Sequence, residues 1–332
     1  MSTIYDVSKL AGVSLATVSR VMNGTSPVRE KTRTKVLDAM RSLGYRPNAM
    51  AKGLASSKSY SVGILVSELH GPFFGMIMSA IENQLRQHDI HAVFAAGHNS
   101  EKSEKDATEF LISKRCDALI AFTESLNDDY IVQTNQKGPP IAIISRKIDC
   151  LPENCFSIDN FQGGYMATEY LINKGHKSIA YISGPLDNQI SQERFSGHLS
   201  ALKHFGLEQK RALSFQGNLQ VSGGEEGMRQ LLQNAHKFTA LACANDEMAI
   251  GAIASAKQAG LHLPNDISII GFDDVSFGMY IDPQLTTVKY PINTVAEAAA
   301  HWVLNTIYGK DMPMGNRDFA LSIVERNSVR SL

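Results

Sequence analysis

The sequence predicts an all-α helix-turn-helix at the N-terminus, followed by an α/β body that contains two doubly wound parallel-sheet subdomains. Three observations support this fold class. Basic residues are concentrated in the first 60 positions, short helical segments with capping residues follow one another there, and apolar strand-like runs alternate with helical ones from residue 60 onward. At 332 residues the chain is also too long for one ordinary core, so two or three domains are expected.

The distribution of charge separates the two parts. Residues 1–60 contain ten Lys and Arg against three Asp and Glu, which gives +7, whereas the other 272 residues give −8. A basic end on an acidic body is expected where that end meets phosphate groups. A basic solvated face gives the same count, so the charge does not identify a partner by itself.

The first helices are marked by their capping residues. Thr3 and Asp6 have the spacing of a capping box, in a variant where Asp replaces the usual Glu or Gln, and the helix is predicted to run to Leu10. Gly12 can take the positive φ that a helix C-terminus often needs. Ser14 is then well placed to cap a second helix.

That second helix is predicted over residues 15–22, and a third over residues 31–43. Two short helices joined by a tight turn and braced by a third form a helix-turn-helix, whose second helix enters the major groove of DNA. A generic three-helix bundle is the alternative. Thr17, Ser19 and Arg20 are predicted to face outward. The predicted core consists of Val7, Leu10, Val13, Val18, Val21, Val36, Leu37, Met40 and Leu43.

Two segments carry a family resemblance. The run DVSKLAGVSLATVSRVMN from Asp6 to Asn23 resembles the signature of the LacI/GalR family of sugar-responsive bacterial repressors almost position for position, and so does GYRPN at residues 44–48. The resemblance implies that Leu15, Ala16 and Arg20 contact bases. It also implies that a further set touches phosphates or supports the fold: Thr3, Tyr5, Ser14, Thr17, Ser19 and Asn23.

Residues 48–55 require a separate argument. Asn48 can cap a helix there, but eight residues with Gly53 among them are too few for a stable helix alone in water. The resemblance implies that this hinge helix folds only on the operator, paired with its dimer mate in the minor groove. Asn48, Ala51 and Leu54 would contact DNA, and Leu54 would be wedged between base pairs, which kinks the duplex.

The body contains apolar, β-branched runs that are typical of parallel strands covered on both faces. Two blocks of alternating strands and helices, about 60–160 and 162–290, predict two doubly wound sheets with a cleft between them. Ligands of such sheets bind outside the carboxyl ends of the strands. The predicted strands are Ser61–Val66, His91–Ala96, Ala118–Phe122, Ile141–Ser145, Ser178–Ile182, Ala240–Ala244 and Ile267–Phe272.

Planar polar groups and aromatic rings follow these strands. Arg, Asn and Asp can bond pairs of sugar hydroxyls while Phe covers the apolar face of the ring. Each such residue alone is more often a cap or an ion-pair partner, but their joint position at strand ends favours a sugar site. The residues concerned are Phe73, Phe74, Ser145, Arg146, Asp159, Arg194, Asn245, Asp246, Asp273 and Asp274.

The body also resembles the periplasmic-binding-protein-like core, type I, of the same family. By position this implies effector contacts by Phe73, Phe74, Arg194, Asn245 and Asp273, with Ser145, Arg146 and Tyr290 as secondary members. Purine-binding members carry Arg and Thr where this chain has Asn188 and Ile190, which disfavours a purine. The segments 238–251 and 272–292 are most similar to the galactose and β-glucoside repressor branches.

The resemblance divides the chain as well. It implies a DNA-binding domain at 1–47, a hinge helix and linker at 48–59, and an effector-binding and dimerisation core at 60–332. Within the core, the N-subdomain is expected at about 60–160 and 291–319, and the C-subdomain at about 161–290 and 320–332.

The expected function is that of a homodimeric repressor that binds a pseudo-palindromic DNA operator and releases it when a small sugar binds. The sequence lacks the C-terminal leucine heptads that would join two dimers into a tetramer. The sequence has no secretory signal and no apolar run of about 20 residues, and its four cysteines are irregularly spaced. We therefore expect a cytoplasmic, nucleoid-associated protein without a membrane partner.

Enzymatic activity is not expected. The sequence contains no GxxxxGK[ST] phosphate loop, GxSxG elbow or HExxH zinc motif, so no catalytic residue, metal or cofactor is predicted. Two alternatives stay open. The body alone would also fit a ligand-binding protein of a sugar transport system, and the whole chain would fit a repressor with a non-sugar, protein or phosphorylated corepressor.

Overall fold

The computed structural model describes residues 2–23, 27–45, 58–234, 237–315, 317 and 319–332. The chain divides into two compact units, Met1–Tyr60 and Ser61–Leu332. In the described part of the chain there are eleven α-helices and ten strands. None of the described helices has the length and apolar character needed to span a bilayer.

The first unit contains three helices, α1 (Ile4–Ala11), α2 (Leu15–Asn23) and α3 (Glu30–Ser42). The predicted capping box is confirmed: Asp6 N donates to Thr3 Oγ1 at 3.4 Å, and Thr3 N donates to Asp6 Oδ2 at 2.8 Å. Gly12 has φ 67° and ψ 36°, the left-handed conformation predicted for the end of α1. Thr17 N donates to Ser14 Oγ at 3.2 Å, so Ser14 caps α2 as predicted.

The core of this unit differs from the prediction at two leucines. Leu10 is 56% exposed and Leu37 is 38% exposed, so both were wrongly placed in the core. At 3.6 residues per turn, Ile4, Val7 and Ala11 share the inward face of α1, and Leu10 lies about a quarter turn away. Ala39 takes the inward position on α3. The residues that form the core or pack against it are Ile4, Val7, Ala11, Val13, Val18, Val21, Met22, Val36, Ala39, Met40, Leu43 and Tyr45.

The second unit contains two sheets. The first sheet has the order β2-β1-β3-β4 and is parallel. Its strands are β1 (Ser61–Val66), β2 (His91–Ala96), β3 (Ala118–Ala121) and β4 (Ile141–Ile143), and the helices that follow them are α4 (Pro72–Arg86), α5 (Glu101–Ser113) and α6 (Asp128–Lys137). The strands are apolar and almost fully buried except in β2, as expected for a sheet covered on both faces.

The second sheet has the order β10-β9-β8-β7-β5-β6. Its neighbouring strands run parallel except β10, which is antiparallel to β9. The strands are β5 (Ile179–Ser183), β6 (Ser214–Gln216), β7 (Ala240–Cys243), β8 (Ser268–Asp273), β9 (Thr286–Lys289) and β10 (Ser322–Val324), and the helices are α7 (Asn160–Asn173), α8 (Gln189–His204), α9 (Val221–Gln233) and α10 (Asp246–Gln258).

The last helix, α11 (Ile292–Tyr308), follows a strand of the second sheet but packs against α4 of the first. The chain then returns to the second sheet with β10. The two sheets are therefore joined by several crossings of the chain rather than by one linker. An arrangement of this kind allows two subdomains to change their angle without separating.

Helices α7 and α8 are in close backbone contact. A Cβ added to Gly197 would lie 2.0 Å from the carbonyl oxygen of Phe161, and one added to Gly164 would lie 2.0 Å from that of Arg194. Only glycine permits this approach. Helix α7 consequently fixes the position of α8 at the turn that contains Arg194 and Gly197.

Candidate functional site

A cavity opens where the carboxyl ends of both sets of parallel strands meet, and we call it the inter-sheet cavity. About 510 Å³ of empty space, which includes open solvent, lies between its walls, and about 70 Å³ of it can hold the centre of a water-sized sphere. The first sheet and the helices after it contribute three aromatic rings and a carboxylate, and the second contributes most of the polar groups. The lining residues are Phe73, Phe74, Phe122, Glu124, Ile190, Ser191, Arg194, Leu219, Asn245, Glu247 and Asp273.

Arg194 lies at the floor of the cavity and is only 5% exposed. Its Nε donates to Asn160 Oδ1 at 3.0 Å, and its Nη1 donates to the carbonyl of Ala244 at 2.6 Å and lies 3.5 Å from Asp273 Oδ1. The guanidinium carbon stands 3.6 Å from the centre of the Phe272 ring. These contacts hold the guanidinium plane in one orientation, which is a requirement for bidentate recognition of a ligand.

Asp273 ends β8 with an unusual backbone. Its φ is 116° and that of Asp274 is 59°, a region that residues with a side chain rarely adopt and that is enriched at functional sites. Burial raises the pKa of Asp273 to about 7, although the charge of Arg194 opposes this shift. The carboxyl can therefore donate or accept a hydrogen bond near neutral pH.

Asn245 has a local structural role as well as a place in the cavity wall. Its Oδ1 accepts from Met248 N at 3.0 Å, which caps α10, and its Nδ2 donates to the carbonyl of Leu219 at 2.8 Å. Asn at this position follows from the strong preference of helix N-termini for short polar side chains. The cap fixes the amide that faces the cavity.

The opposite wall is aromatic. Phe73, Phe74 and Phe122 pack edge to face with ring centres 5.3–5.8 Å apart. Tyr290 lies behind them, with its ring centre 5.7 Å from that of Phe73. Such a cluster keeps each ring in place through its neighbours, and it offers an apolar surface to a ligand held by the polar groups across the cavity.

Two further carboxylates line the cavity. Burial and the nearby charge of Glu104 raise the pKa of Glu124 to about 7, while Arg194 acts in the opposite direction. Burial also raises the pKa of Glu247. With Asp273, the lining holds three carboxyl groups and the single guanidinium of Arg194, so it disfavours an anionic ligand.

The structure brings together five of the residues proposed from the sequence: Phe73, Phe74, Arg194, Asn245 and Asp273. Tyr290 is buried behind Phe73 rather than in the lining. Ser145 and Arg146 are not lining residues either. Ser145 Oγ donates to the carbonyl of Thr123 at 2.6 Å, and Arg146 pairs with Asp128 at 3.0 Å and bonds the Leu126 carbonyl.

Sequence reasoning did not assign six of the lining residues to the site: Phe122, Glu124, Ile190, Ser191, Leu219 and Glu247. Two of them stand within three residues of the end of β3, so the same strand-end argument could have found Phe122 and Glu124. Ser191 and Glu247 occupy the first turns of α8 and α10, three and two residues after the caps Asn188 and Asn245. Leu219 follows the three-residue strand β6, which the sequence did not reveal.

In the first unit, the outer surface of α2 presents the residues proposed to contact DNA bases. Ala16 and Arg20 are exposed, and Leu15, Thr17 and Ser19 are half-buried. Thr3, Tyr5 and Ser14 are exposed as well. Asn23 ends α2, but its side chain lies outside the described residues, as do Asn48, Ala51 and Leu54 of the predicted hinge helix. Within the described ranges, no group of His, Cys, Asp and Glu is arranged to hold a metal ion.

Two family models match the chain. Residues 3–48 match bacterial regulatory proteins of the lacI family, and residues 59–322 match the periplasmic binding proteins and sugar binding domain of the LacI family. The chain belongs to the LacI family. It is a DNA-binding transcriptional regulator with a sugar-binding domain, and the match over residues 3–48 favours this over a sugar-transport binding protein.

Relatives of this LacI-family regulator are similar over nearly their full length. The transcriptional regulator GalR of Escherichia coli K12 is 37% identical over 329 residues, which cover 99% of this chain and 96% of that protein. The repressor PurR of Aliivibrio salmonicida is 35% identical, with 100% of both chains covered. The regulator AscG of Escherichia coli K12 is 31% identical, with 99% and 98% covered. These relatives are regulators rather than enzymes.

Solved structures of the family give the same fold. The lac repressor dimer bound to operator and the anti-inducer ONPF is 29% identical, with 99% of each chain covered and a TM-score of 0.85. The complex of the regulator CelR with cellobiose is 28% identical, covers 99% of this chain and 100% of that one, and has a TM-score of 0.71. The predicted fold class is thereby confirmed.

Proposed function

We propose that this LacI-family regulator is a homodimeric repressor whose affinity for a pseudo-palindromic operator is lowered by a neutral sugar bound in the inter-sheet cavity. One observation carries the proposal: the cavity places Arg194, Asn245 and Asp273 opposite the rings of Phe73, Phe74 and Phe122. A pyranose has hydroxyls around its rim and apolar C–H faces, so this pair of walls matches both of its surfaces.

The charge of the lining favours a neutral sugar over a phosphorylated one. Three carboxyl groups face the cavity, and the guanidinium of Arg194 already bonds Asn160 and the Ala244 carbonyl. A sugar phosphate would have to approach carboxylates without a second cation among the described lining residues. Asn188 and Ile190 replace the Arg and Thr that purine-binding relatives carry, which disfavours a purine.

For DNA, we propose that Leu15, Ala16 and Arg20 on α2 contact bases in the major groove. The phosphate and supporting contacts are assigned to Thr3, Tyr5, Ser14, Thr17, Ser19 and Asn23, and the minor-groove contacts to Asn48, Ala51 and Leu54. The lac repressor dimer bound to operator supports a two-fold complex, since paired half-sites require a two-fold protein. Such a protein would act at the bacterial nucleoid.

The switch follows from differential binding. A sugar held between two subdomains can stabilise one inter-subdomain angle over another, and only that difference in affinity can shift the equilibrium. The hinge segment is too short to remain helical alone, so a change that separates its two copies would melt both. By linkage, the operator must weaken sugar binding by the same factor, typically about 5- to 150-fold.

An electrophoretic mobility assay tests the proposal with wild type and Arg20→Ala protein on genomic operator fragments, with and without D-galactose, D-glucose, methyl β-D-glucopyranoside and cellobiose. One of these sugars should release the operator. Because Arg20 can bond guanine through two hydrogen bonds worth about 1–3 kcal/mol, Arg20→Ala should lose specific binding while keeping sugar affinity. Tighter DNA binding with sugar, or a specific complex that survives in Arg20→Ala, would contradict the proposal.

A further inference from the structure

The loop that carries Glu124 is held by a buried carboxylate. Glu104 on α5 is fully buried. It accepts hydrogen bonds from Thr123 Oγ1 at 2.6 Å, from Ser125 N at 3.1 Å and from Leu126 N at 2.9 Å. The backbone N of Glu124 itself donates to Glu104 at 3.3 Å. Because every residue of this loop is tied to one buried group, the Glu124 side chain projects from a rigid base.

Across the cavity, Glu124 meets the start of α8. Asn188 caps this helix, with its Oδ1 accepting from Ser191 N at 3.1 Å. The cap orients the other end of the amide, and its Nδ2 donates to the Glu124 carboxylate. This hydrogen bond joins the loop after β3 of the first sheet to the loop after β5 of the second sheet.

Ser191 adds a polar atom without a partner. The residue lines the cavity and is 1% exposed, and its Oγ has no hydrogen-bond partner among the described residues. Most buried hydroxyls in proteins are hydrogen-bonded, so an orphan in a ligand cavity needs an explanation. The Oγ is enclosed beside Gly184, and a rotation of the side chain toward the cavity would let it donate to a ligand hydroxyl that itself donates to a carboxylate.

We propose that Glu124, Asn188 and Ser191 form a hydroxyl-binding subsite of the inter-sheet cavity. One sugar hydroxyl donates to the Glu124 carboxylate and accepts from Ser191 Oγ, while Asn188 holds the carboxylate in place. The subsite selects effectors that carry a free hydroxyl at this position. It rests on the proposed function, since it requires that the effector is a sugar.

The surrounding charges make the subsite selective against phosphate as well. Glu124 faces Glu104 on α5, Arg146 after β4 and Arg194 on α8. Glu104 is fully used by the loop, Arg146 pairs with Asp128, and Arg194 bonds the Ala244 carbonyl. A sugar phosphorylated at this hydroxyl would therefore place a second anion beside Glu124.

The test is a set of calorimetric titrations at pH 8, where Glu124 is mostly ionised. The probes are D-galactose, D-glucose and methyl β-D-glucopyranoside, each with its monodeoxy analogues and monophosphates. For the sugar that binds wild type, removing one particular hydroxyl should weaken binding about 10- to 100-fold, the range for a hydrogen bond to a charged group. In Glu124→Ala the penalty should fall to the smaller part that Ser191 supplies, so that the deoxy analogue and its parent differ by less than about tenfold.

Glu247→Gln is the matched control, because it removes a carboxylate from the same cavity outside the subsite and should keep the wild-type penalty. Ser191→Ala should reduce the penalty partly. Should Glu124→Ala fail to fold by circular dichroism, the isosteric Glu124→Gln gives the same comparison with a reduced penalty. If Glu124→Ala loses as much affinity as wild type when the hydroxyl is removed, the proposed subsite is wrong but the sugar effector is not. If wild type binds none of the probes, the proposal of a sugar effector is contradicted.

Discussion

The two walls of the inter-sheet cavity are built in different ways. On the first-sheet side, Phe73, Phe74 and Phe122 hold one another by edge-to-face packing. On the second-sheet side, Asn245 also caps a helix and Arg194 also bonds a buried backbone carbonyl. A change of ring should therefore alter ligand binding with little effect on folding, whereas a change of polar group should affect both.

Arg194→Ala should give the largest effect. It removes the guanidinium from the ligand and leaves Asn160, the Ala244 carbonyl and Asp273 without their donor. Sugar affinity should fall at least about 100-fold, and the free energy of unfolding should fall by about 2–4 kcal/mol. Calorimetry and urea unfolding measure the two quantities.

The same Arg194→Ala protein should still bind operator but no longer release it when sugar is added. Arg194→Lys is the control, since it keeps the charge but loses the planar fork, and it should recover stability more than affinity. Release that persists in Arg194→Ala would show that the second-sheet wall does not control the switch.

Asp273 predicts a pH effect on stability. Its pKa in the folded protein is raised to about 7 by burial, so between about pH 4 and pH 7 the folded state binds more protons than the unfolded state. The contribution of this group to stability is therefore present at low pH and is lost as the pH rises through that window. The slope approaches about 1 kcal/mol per pH unit.

Urea unfolding of wild type and Asp273→Asn across this range checks the effect. The advantage of wild type over the variant should shrink with rising pH. If the free energies of unfolding of the two proteins change with pH in the same way, Asp273 is not buried as a neutral acid. The difference in structural role between the polar wall and the aromatic wall would then be smaller.

Phe73→Leu tests the aromatic wall. The substitution keeps an apolar side chain of similar volume but removes the flat ring and its contacts with Phe74, Phe122 and Tyr290. Sugar affinity should fall about tenfold, while the free energy of unfolding should change by less than about 1.5 kcal/mol. A stability loss as large as that of Arg194→Ala would show that both walls are equally structural.

Asn245 separates the two roles of a polar wall residue with the smallest expected change. Asn245→Ala should lose the cap of α10 and about 1 kcal/mol of stability, whereas Asn245→Ser should retain the cap. Both should bind sugar about five- to tenfold more weakly, because neither carries the amide. Thermal unfolding and calorimetry distinguish them, and full affinity in the Ser variant would assign Asn245 to the helix alone.

The fold was predictable where the physical signal is local. The capping box at Thr3, the turn at Gly12 and the buried apolar strands all depend on neighbouring residues, and they were found. Strands β6, β9 and β10 were not among the strand-like runs predicted from the sequence. Strand β6 has only three residues. In β9, Thr286 and Thr287 can be buried because they are hydrogen-bonded to Ser328 and Asp246, and the sequence does not reveal these distant partners.

The candidate site shows the same limit. Phe73, Phe74 and Asp273 stand beside strand ends that the sequence marks clearly. Ser191 was missed because the start of α8 faces the cavity only through the packing of that helix on its neighbours. Leu10 was misplaced because apolar character does not specify which side of a short helix meets the core, and its rotation was decided by Ile4, Val7 and Ala11.

The glycine contact between α7 and α8 has a consequence for how effector preference can change over time. Helix α8 carries Ser191 and Arg194 one turn apart, so their side chains are separated by a spacing of about 5–6 Å that the helix itself sets. Because Gly164 and Gly197 fix α8 against α7, Ser191 and Arg194 keep both their spacing and their position in the cavity. Sequence variation among descendants of this chain should therefore accumulate at the facing aromatic rings, where a substitution can accommodate a new sugar without moving these two residues.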